Sequence, residues 1–269
     1  MHPEEPAVAG AAERLASKFG EAPRVAMVLG SGLGPVADQL VDFVDAPFED
    51  LGLPGSTVPG HAGKIRVGTF GGERVAVVRG RVHLYEGLGA NTVVRYVRAL
   101  HRWGVQNLLL TCSVGGIAAG LEPGSLVLVN DHINMQHDNP LVGPAFGTRF
   151  PDLGSAYDPQ MRYALTEEAR SQGIPLPNGV LACMQGPAYE TPAEVKMLDH
   201  VGADVVGMST VPEVLAAAAI GLRAAVVAVV SNRAAGLTDS VLTHDEVTET
   251  AAVVSVRLAA LIEGALGEF

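Results

Sequence analysis

Short, nearly continuous apolar runs recur along the chain, each bounded by glycine, proline or a cluster of polar residues. Runs of this length that barely alternate in polarity are typical of strands buried on both faces of a parallel sheet. They predict strands at Val25–Leu29, Val75–Val78, Leu108–Thr111, Leu126–Val129, Val180–Met184, Val205–Met208 and Ala225–Val230.

Segments with helical periodicity lie between several of these runs. Asp158 precedes a proline at a predicted helix start, and Thr191 forms a capping box with Glu194. Thr210 and Glu213 repeat the capping pattern ahead of another apolar segment, which predicts a capped helix there too. The predicted helices are Ala11–Phe19, Thr92–Trp103, Pro159–Arg170, the segment that follows Thr191, Val214–Ile220 and Asp245–Ala265.

Strands that alternate with helices predict an α/β fold. We expect a single domain over residues 1–269, with a mixed, largely parallel sheet flanked by helices and a surface helix within residues 1–23. In Thr92–Trp103, the valines and the leucine share one side of the helix, and Arg98 lies on another. Ligands bind at the carboxyl ends of strands in such folds, so the strand ends are the place to look for chemistry.

The composition agrees with a sheet that is covered on both faces. The 269 residues are 48% hydrophobic, 17% charged and only 5% aromatic, and their net charge is −11. This acidic balance argues against nucleic-acid or membrane-surface partners, although an anionic substrate needs only a locally positive pocket. Cys112 and Cys183 lack the spacing of metal ligands, so we expect reduced core thiols in a cytoplasmic protein without a metal site. We also expect no signal peptide and no membrane span of about 18 apolar residues.

Anion-binding chemistry follows the first two predicted strands. The turn Gly30–Gly34 lets the backbone approach an anion at a helix N-terminus, and Ser31 adds a hydroxyl, although a plain glycine-rich turn explains the same residues. Arg81 and His83 alternate on extended backbone and point the same way, which favours a phosphate clamp over an ordinary surface cluster. Glu86 is placed to orient His83.

Further polar residues end the later strands. Ser113 precedes a glycine pair, and Ser209 lies at a helix start, where a hydroxyl and a backbone N–H face an anion. Glu190 and Asn232 have the acceptors and the donor that read a base edge. The apolar wall between them is formed by Tyr85, Tyr189 and Met208. His244 is isolated and by itself indicates only a surface or hydrogen-bonded histidine.

Seven motifs occur in an order that resembles the low-molecular-mass, trimeric purine nucleoside phosphorylases. They are GSGLG, GHAG, GRVHLYEG, DHIN followed by NPLVGP, GPAYETPAE, GMSTVPE and SNRAAGL, and the similarity runs from about Val25 to the C-terminal helix. The resemblance implies a purine-salvage enzyme that uses inorganic phosphate as co-substrate and needs no cofactor or metal. It implies phosphorolysis of purine ribonucleosides and deoxyribonucleosides, preferably the 6-oxopurines inosine and guanosine.

The resemblance also implies residue roles. Phosphate would be held by Ser31, His61, Arg81, His83, the backbone of Ser113, and Ser209. The sugar would be contacted by Tyr85, Tyr189, Met208 and His244. Glu190 and Asn232 would read the purine, and together with His83 they would form the catalytic set. Phe146 would reach the site of a neighbouring subunit in a homotrimer.

Departures from the family pattern leave more than one substrate class in consideration. Cys112-Ser113-Val114 replaces Asn-Ala-Ala, Arg233 stands where many members carry another residue, and the loop between Asn134 and Asn139 is short. A diverged phosphorylase that accepts xanthosine therefore remains an alternative. Methylthioadenosine phosphorylase is another, although His244 and Asn232 argue against it. A nicotinamide-dependent oxidoreductase is disfavoured because GxGxG is not GxGxxG, and a binding protein without turnover is distinguished only by assay.

Overall fold

The computed structural model describes residues 2–58, 61–238 and 244–269, apart from the side chains of residues 244–247. Its strands are β1 Val25–Leu29, β2 Val41–Pro47, β3 Lys64–Phe70, β4 Glu73–Arg79, β5 Asn107–Gly116, β6 Leu126–Asn134, β7 Asn178–Cys183, β8 Val205–Gly207 and β9 Arg223–Arg233. Its helices are α1 Glu5–Phe19, α2 Ala90–Val93, α3 Arg95–Trp103, α4 Pro159–Ser171, α5 Pro192–His200, α6 Val211–Ile220 and α7 His244–Ala265.

All these strands join one mixed sheet in the order β2-β3-β4-β1-β5-β8-β7-β6-β9. Strand β5 also pairs with β9, so the five strands from β5 to β9 close on themselves. Strands β4, β1, β5 and β9 are successively parallel. Their carboxyl ends therefore meet at one edge, which brings together the segments that follow them. The predicted α/β class and the mixed sheet are confirmed.

Two apolar cores cover the two faces of the sheet. One core is formed with α1, α3 and α6, and the other with α4, α7 and the short 3-10 helix at Gly34–Gln39. Leu15 of α1 and Val97 of α3 belong to the first core, while Leu165 of α4 and Leu258 of α7 belong to the second. Burial on both faces explains why the central strands are continuous apolar runs.

Several sequence predictions need correction. Strands β2 and β3 were not predicted, because β2 is mostly exposed and charged residues interrupt both. The helix predicted at Thr92–Trp103 is divided into α2 and α3 at Val94. Arg98, which lies off the apolar side of this segment, is only 1% exposed.

Arg98 is buried because other parts of the chain cover its side of α3. Its Nη2 donates to the carbonyl oxygen of Pro140 at 3.2 Å, and its guanidinium carbon lies 4.4 Å from the centre of the Phe146 ring. Burial lowers the pKa of Arg98 to about 10. The arginine therefore fastens the segment around Phe146 to the body of the protein.

The predicted helix caps have mixed outcomes. The Asp158 carboxylate accepts from the backbone N–H groups of Gln160 and Met161, and the capping box of Thr191 is present, so both predictions are confirmed. The cap at Thr210 is wrong, since no side-chain cap bond occurs at α6 in the described part of the chain. Thr210 instead has a φ of 82°, a left-handed conformation that is a genuine outlier for a β-branched residue.

The expectation about membrane-length segments also needs correction. Residues 248–268 are long and apolar enough to cross a membrane by length and composition. Half of that window is buried within the structure, where α7 packs against the sheet as part of the second core. The core helix of a soluble protein passes the same test, so this helix is weak evidence for a membrane span.

Candidate active site

A cavity opens where the carboxyl ends of β1, β4, β5 and β9 meet. It contains about 710 Å³ of free space, a figure that includes open solvent at its mouth. Ten of the predicted site residues line it, and they are Ser31, Arg81, His83, Tyr85, Ser113, Tyr189, Glu190, Met208, Ser209 and Asn232. The residues that were predicted from the strand ends are therefore brought together in one cavity.

Two predicted residues are placed differently, and the side chain of a third lies outside the described residues. His61 lies behind the cavity wall, with Nε2 3.1 Å from the Ser31 hydroxyl. Phe146 packs within its own chain, where its ring centroid lies 5.2 Å from that of His2. His244 is the first residue of α7, and its side chain lies outside the described residues.

Arg81 is the buried cation of the site and is only 1% exposed. Its Nη1 donates to Thr210 Oγ1 at 3.0 Å and to Glu213 Oε1 at 3.1 Å, and its Nη2 donates to the carbonyl of Thr111. Burial alone would lower the pKa of Arg81, but the carboxylate of Glu213 raises it above its usual value. Arg81 therefore stays charged without direct access to bulk water.

His83 is held from two sides. Its Nδ1 lies 3.1 Å from Glu86 Oε1, and its ring stacks on Tyr85 with centroids 4.7 Å apart and planes 9° apart. Burial alone would raise the pKa of Glu86, but hydrogen bonds from His83 and Thr57 lower it to about 2. The carboxylate that orients His83 is therefore ionised at any physiological pH.

His61 joins the two anion-binding segments. Its Nε2 pairs with the Ser31 hydroxyl, and its Nδ1 lies 2.8 Å from the carbonyl oxygen of Arg81. Burial lowers the pKa of His61 to about 4, so the ring is neutral at neutral pH. Gly80 permits this packing, since a Cβ added there would lie 2.7 Å from the Cβ of His61.

The opposite wall of the cavity has polar groups suited to a base. Burial raises the pKa of Glu190, and its Oε1 is buried without a hydrogen-bond partner among the described residues. The Asn232 Oδ1 accepts from the Ser231 hydroxyl at 2.8 Å, and its Nδ2 donates to the carbonyl of Arg233 at 2.9 Å. A carboxylate and an oriented amide thus face the same space.

The residues that depart from the family pattern have identifiable contacts. Ser113 Oγ donates to the carbonyl of Ser31 at 2.8 Å, which joins the ends of β5 and β1. Cys112 is buried, and burial raises its thiol pKa. Val114 packs close to Gly207 on the cavity floor.

Arg233, which also departs from the family pattern, contacts a loop outside the cavity. Arg233 is not among the residues that line the cavity within the described ranges. Its guanidinium donates to the carbonyls of Ala118, Leu121 and Ile117, at 2.6, 3.1 and 3.1 Å. The side chain therefore anchors the loop after β5.

Sequence reasoning missed the residues that hold Arg81. Glu213 was interpreted as part of a helix cap, yet it is 1% exposed and pairs with Arg81. Tyr96 donates to the same Glu213 oxygen at 3.2 Å, and Thr111 and Thr210 accept from Arg81. Nothing in the spacing of these residues signals the network, since they come from separate elements. Among the described residues, no group of three His, Cys, Asp or Glu is placed to hold a metal ion.

Comparison with known proteins identifies the class. Residues 24–267 match the model of the phosphorylase superfamily. Purine nucleoside phosphorylase 1 of Geobacillus stearothermophilus is 43% identical over 248 residues, covering 91% of this chain and 90% of its own. The purine nucleoside phosphorylase of Mycobacterium tuberculosis is 42% identical over 248 residues, covering 91% and 89%.

Solved structures agree with these sequence relatives. The Schistosoma mansoni purine nucleoside phosphorylase in complex with inosine superimposes with a TM-score of 0.92 at 34% identity, covering 98% of this chain and 96% of that one. The complex of that enzyme with adenosine gives a TM-score of 0.90 at 35% identity, covering 97% and 96%. The chain belongs to the phosphorylase superfamily and, within it, to the purine nucleoside phosphorylases.

Proposed function

We propose that this protein cleaves the glycosidic bond of 6-oxopurine ribonucleosides and deoxyribonucleosides with inorganic phosphate, releasing the free base and the pentose 1-phosphate. One observation carries the proposal. A single cavity has a buried guanidinium and hydroxyl groups on one side, and a desolvated carboxylate with an oriented amide on the other. The first set suits a phosphate, and the second suits a purine edge.

The phosphate side is formed by Ser31, Arg81, His83, the backbone of Ser113, and Ser209, with His61 supporting Ser31. Arg81 supplies charge, while hydroxyl and imidazole groups supply directed hydrogen bonds. Inorganic phosphate is the co-substrate, and the proposal requires no other cofactor. Since Glu86 fixes the ring of His83, the phosphate oxygens meet donors that are already in place.

The base side explains the preference for 6-oxopurines. Glu190 would accept from N1–H, and the Asn232 amide would accept from N7–H through Oδ1 while Nδ2 donates to O6. An adenine has no N1–H and carries an amino donor at C6, so it leaves both residues mismatched. The purine would contact Glu190 and Asn232, and Tyr85, Tyr189 and Met208 would line the space toward the sugar. The family resemblance would place His244 near the 5′-hydroxyl.

The chemical step needs placement and electrostatics more than a covalent intermediate. As the bond from C1′ to N9 breaks, its electron pair moves onto the purine, N7 takes up a proton from solvent, and positive charge develops on the sugar. A phosphate oxygen then bonds to C1′. Asn232 stabilises the departing purine through the N7 proton, and the phosphate held by Arg81 and His83 stabilises the sugar cation.

The test is release of hypoxanthine from inosine, measured with and without phosphate. Release that requires phosphate and yields ribose 1-phosphate is the expected result. Release without phosphate would mean a hydrolase and would overturn the phosphate assignments. Guanosine, xanthosine, adenosine and methylthioadenosine, assayed in parallel, separate a 6-oxopurine enzyme from the xanthosine-accepting and methylthioadenosine alternatives.

A homotrimer and a cytoplasmic location complete the proposal. Phe150 is 87% exposed and Val142 is 68% exposed, in the same segment as Phe146. Large exposed apolar groups in one patch mark interaction sites, so this segment is a suitable subunit contact that would carry Phe146 toward a neighbouring cavity. Both cysteines are buried and unpaired, which suits a reducing compartment.

A further inference from the structure

A buried carboxylate lies behind Arg81 and forms an ion pair with it. Glu213 lies on α6, is 1% exposed, and is absent from the residues that line the cavity within the described ranges. Its Oε1 accepts from Arg81 Nη1 at 3.1 Å and from the Tyr96 hydroxyl at 3.2 Å. The carboxylate therefore contacts the guanidinium from the side that is hidden from a substrate.

The hydrogen bonds of Arg81 leave one edge for a ligand. An arginine has five N–H donors in a fixed planar fork. Both hydrogens of Nη1 are directed at Thr210 and Glu213, and one hydrogen of Nη2 is directed at Thr111. The donors that remain are the second Nη2 hydrogen and Nε, which has no partner among the described residues. Nε and Nη2 form one edge of the planar fork, and such an edge matches two oxygens of a phosphate.

The strained backbone at Thr210 indicates that the surrounding structure holds the Arg81 hydrogen bonds in this arrangement. Thr210 has a φ of 82°, and it presents its hydroxyl to the same Nη1 that Glu213 contacts. Left-handed backbone at a non-glycine residue has an energetic cost and persists only where its surroundings hold it. The ion pair alone does not account for this cost, because replacing a buried pair by apolar residues is often neutral or stabilising.

We propose that Glu213 is a positioning residue for phosphate, which fixes the Arg81 fork so that its Nε–Nη2 edge faces the anion. The inference rests on the proposed phosphorolysis. Glu213 does not touch the substrate, and its effect passes through the direction of the Arg81 donors. Geometry, rather than the negative charge of Glu213, is what the phosphate site requires.

Two substitutions separate geometry from charge. Glu213→Gln keeps the length of the side chain and an acceptor oxygen but removes the charge. Glu213→Asp keeps the charge but withdraws it by one methylene. The Michaelis constants for phosphate and for inosine are measured for both variants, together with the melting temperature. As a control, Asp45→Ala breaks the ion pair of Asp45 with Arg66, and neither residue lines the cavity.

We expect Glu213→Asp to raise the phosphate KM about tenfold, because it loses one well-directed hydrogen bond to a charged group. Its inosine KM should stay within about threefold of the wild-type value. Glu213→Gln is expected to hold the phosphate KM within about threefold although its melting temperature falls. Asp45→Ala should lower the melting temperature alone. A larger KM increase for Gln than for Asp, or no increase for either, would overturn the proposal.

If neither Glu213 variant folds, Tyr96→Phe provides the same test, because it removes the hydroxyl that holds Glu213 Oε1 beside Arg81 and leaves the charge of Glu213 in place. An unchanged phosphate KM in folded Tyr96→Phe would also overturn the inference, which requires the position of the carboxylate. Failure of the proposed function is recognised separately, since the wild-type protein would then release hypoxanthine without phosphate or not at all.

Discussion

Asn232 shows how neighbouring groups decide the role of a single side chain. Its Nδ2 faces the carbonyl of Arg233 and its Oδ1 faces the hydroxyl of Ser231. Because a carbonyl oxygen only accepts and a hydroxyl can donate, these two contacts determine which end of the amide carries oxygen. Oδ1 keeps a second lone pair, which is the acceptor that a protonated N7 needs.

Replacing Asn232 therefore tests the leaving-group step. We expect Asn232→Ala to lower kcat on inosine at least ~10²-fold, the effect of losing one preorganised hydrogen-bonding group. Asn232→Asp should raise the adenosine-to-inosine ratio of kcat/KM, because a protonatable carboxyl suits a 6-amino base. Steady-state assays with both nucleosides measure this, and an alanine variant within a few-fold of wild type would remove Asn232 from the reaction.

The buried carboxylate of Glu190 leads to a prediction about the pH dependence of kcat/KM. Burial raises its pKa, and the nearby Glu194 raises it further. Since the ionised form accepts from N1–H more strongly than the protonated acid does, kcat/KM for inosine should fall with decreasing pH at a higher pH than an ordinary glutamate would give. Glu190→Gln should lower kcat/KM by about 10–100-fold and flatten this acidic limb.

The matched control for Glu190 lies four residues away. Glu194→Gln preserves the capping box, because glutamine serves at that position, and removes a charge that raises the pKa of Glu190. The acidic limb should then move to lower pH while kcat at neutral pH stays unchanged. A limb that is identical in all three proteins would contradict the role of Glu190.

Among the elements, the junction after β4 sets the phosphate site. Gly80 has a φ of 93°, and a Cβ there would lie within 2.9 Å of three atoms of His61. His61 in turn contacts Ser31 and the backbone of Arg81. A side chain at residue 80 would therefore displace two anion-binding segments together.

The prediction compares two glycines with positive φ. Gly72 has a φ of 80° with nothing within 4 Å of an added Cβ, so Gly72→Ala should cost about 1 kcal/mol of stability without changing the phosphate KM. Gly80→Ala should cost more stability and raise the phosphate KM about tenfold or more. Thermal unfolding and phosphate titration check both, and equal phosphate constants would contradict the assignment of His61 and Ser31.

What the sequence predicts at this scale depends on whether an element is buried on both faces. Val25–Leu29 was located to the residue, because five consecutive apolar residues that end at Gly30 have the length of a strand and are too few for a helix. Strand β2 was missed because its Val41 and Phe43 are exposed at the edge of the sheet. The cavity-lining residues could be predicted, because a polar group that directly follows an apolar run can be recognised in the sequence alone.

The network around Arg81 was not predictable by the same reasoning. Glu213, Tyr96 and Thr111 come from α6, α3 and β5, and only tertiary packing brings them together. Glu213 also fits a capping pattern, so a local interpretation was available and was wrong. Burial of a carboxylate is decided by what covers it, and no local pattern specifies the cover.

For the whole molecule, the proposed subunit contact is an exposed apolar patch on the segment that contains Phe146. Leu153 is 37% exposed beside Phe150 and Val142. The same segment is fastened to α3 by Arg98, which stacks on Phe146 and binds the Pro140 carbonyl. A rigidly held segment with an apolar outer surface can dock without a large ordering cost.

A double substitution in this patch tests the trimer. Wild-type protein should have three times the monomer mass of 27.8 kDa by light scattering, and Val142→Ser with Phe150→Ser should shift it to monomer. Activity on inosine should fall with assembly, because Phe146 would no longer reach a neighbouring cavity. Val253→Ser with Val256→Ser removes two apolar groups that are 81% and 69% exposed on α7, and should leave the trimer intact. A fully active wild-type monomer would show that each cavity is complete within one chain, and Phe146 would then have only the intrachain role that its contacts with Arg98 and His2 describe.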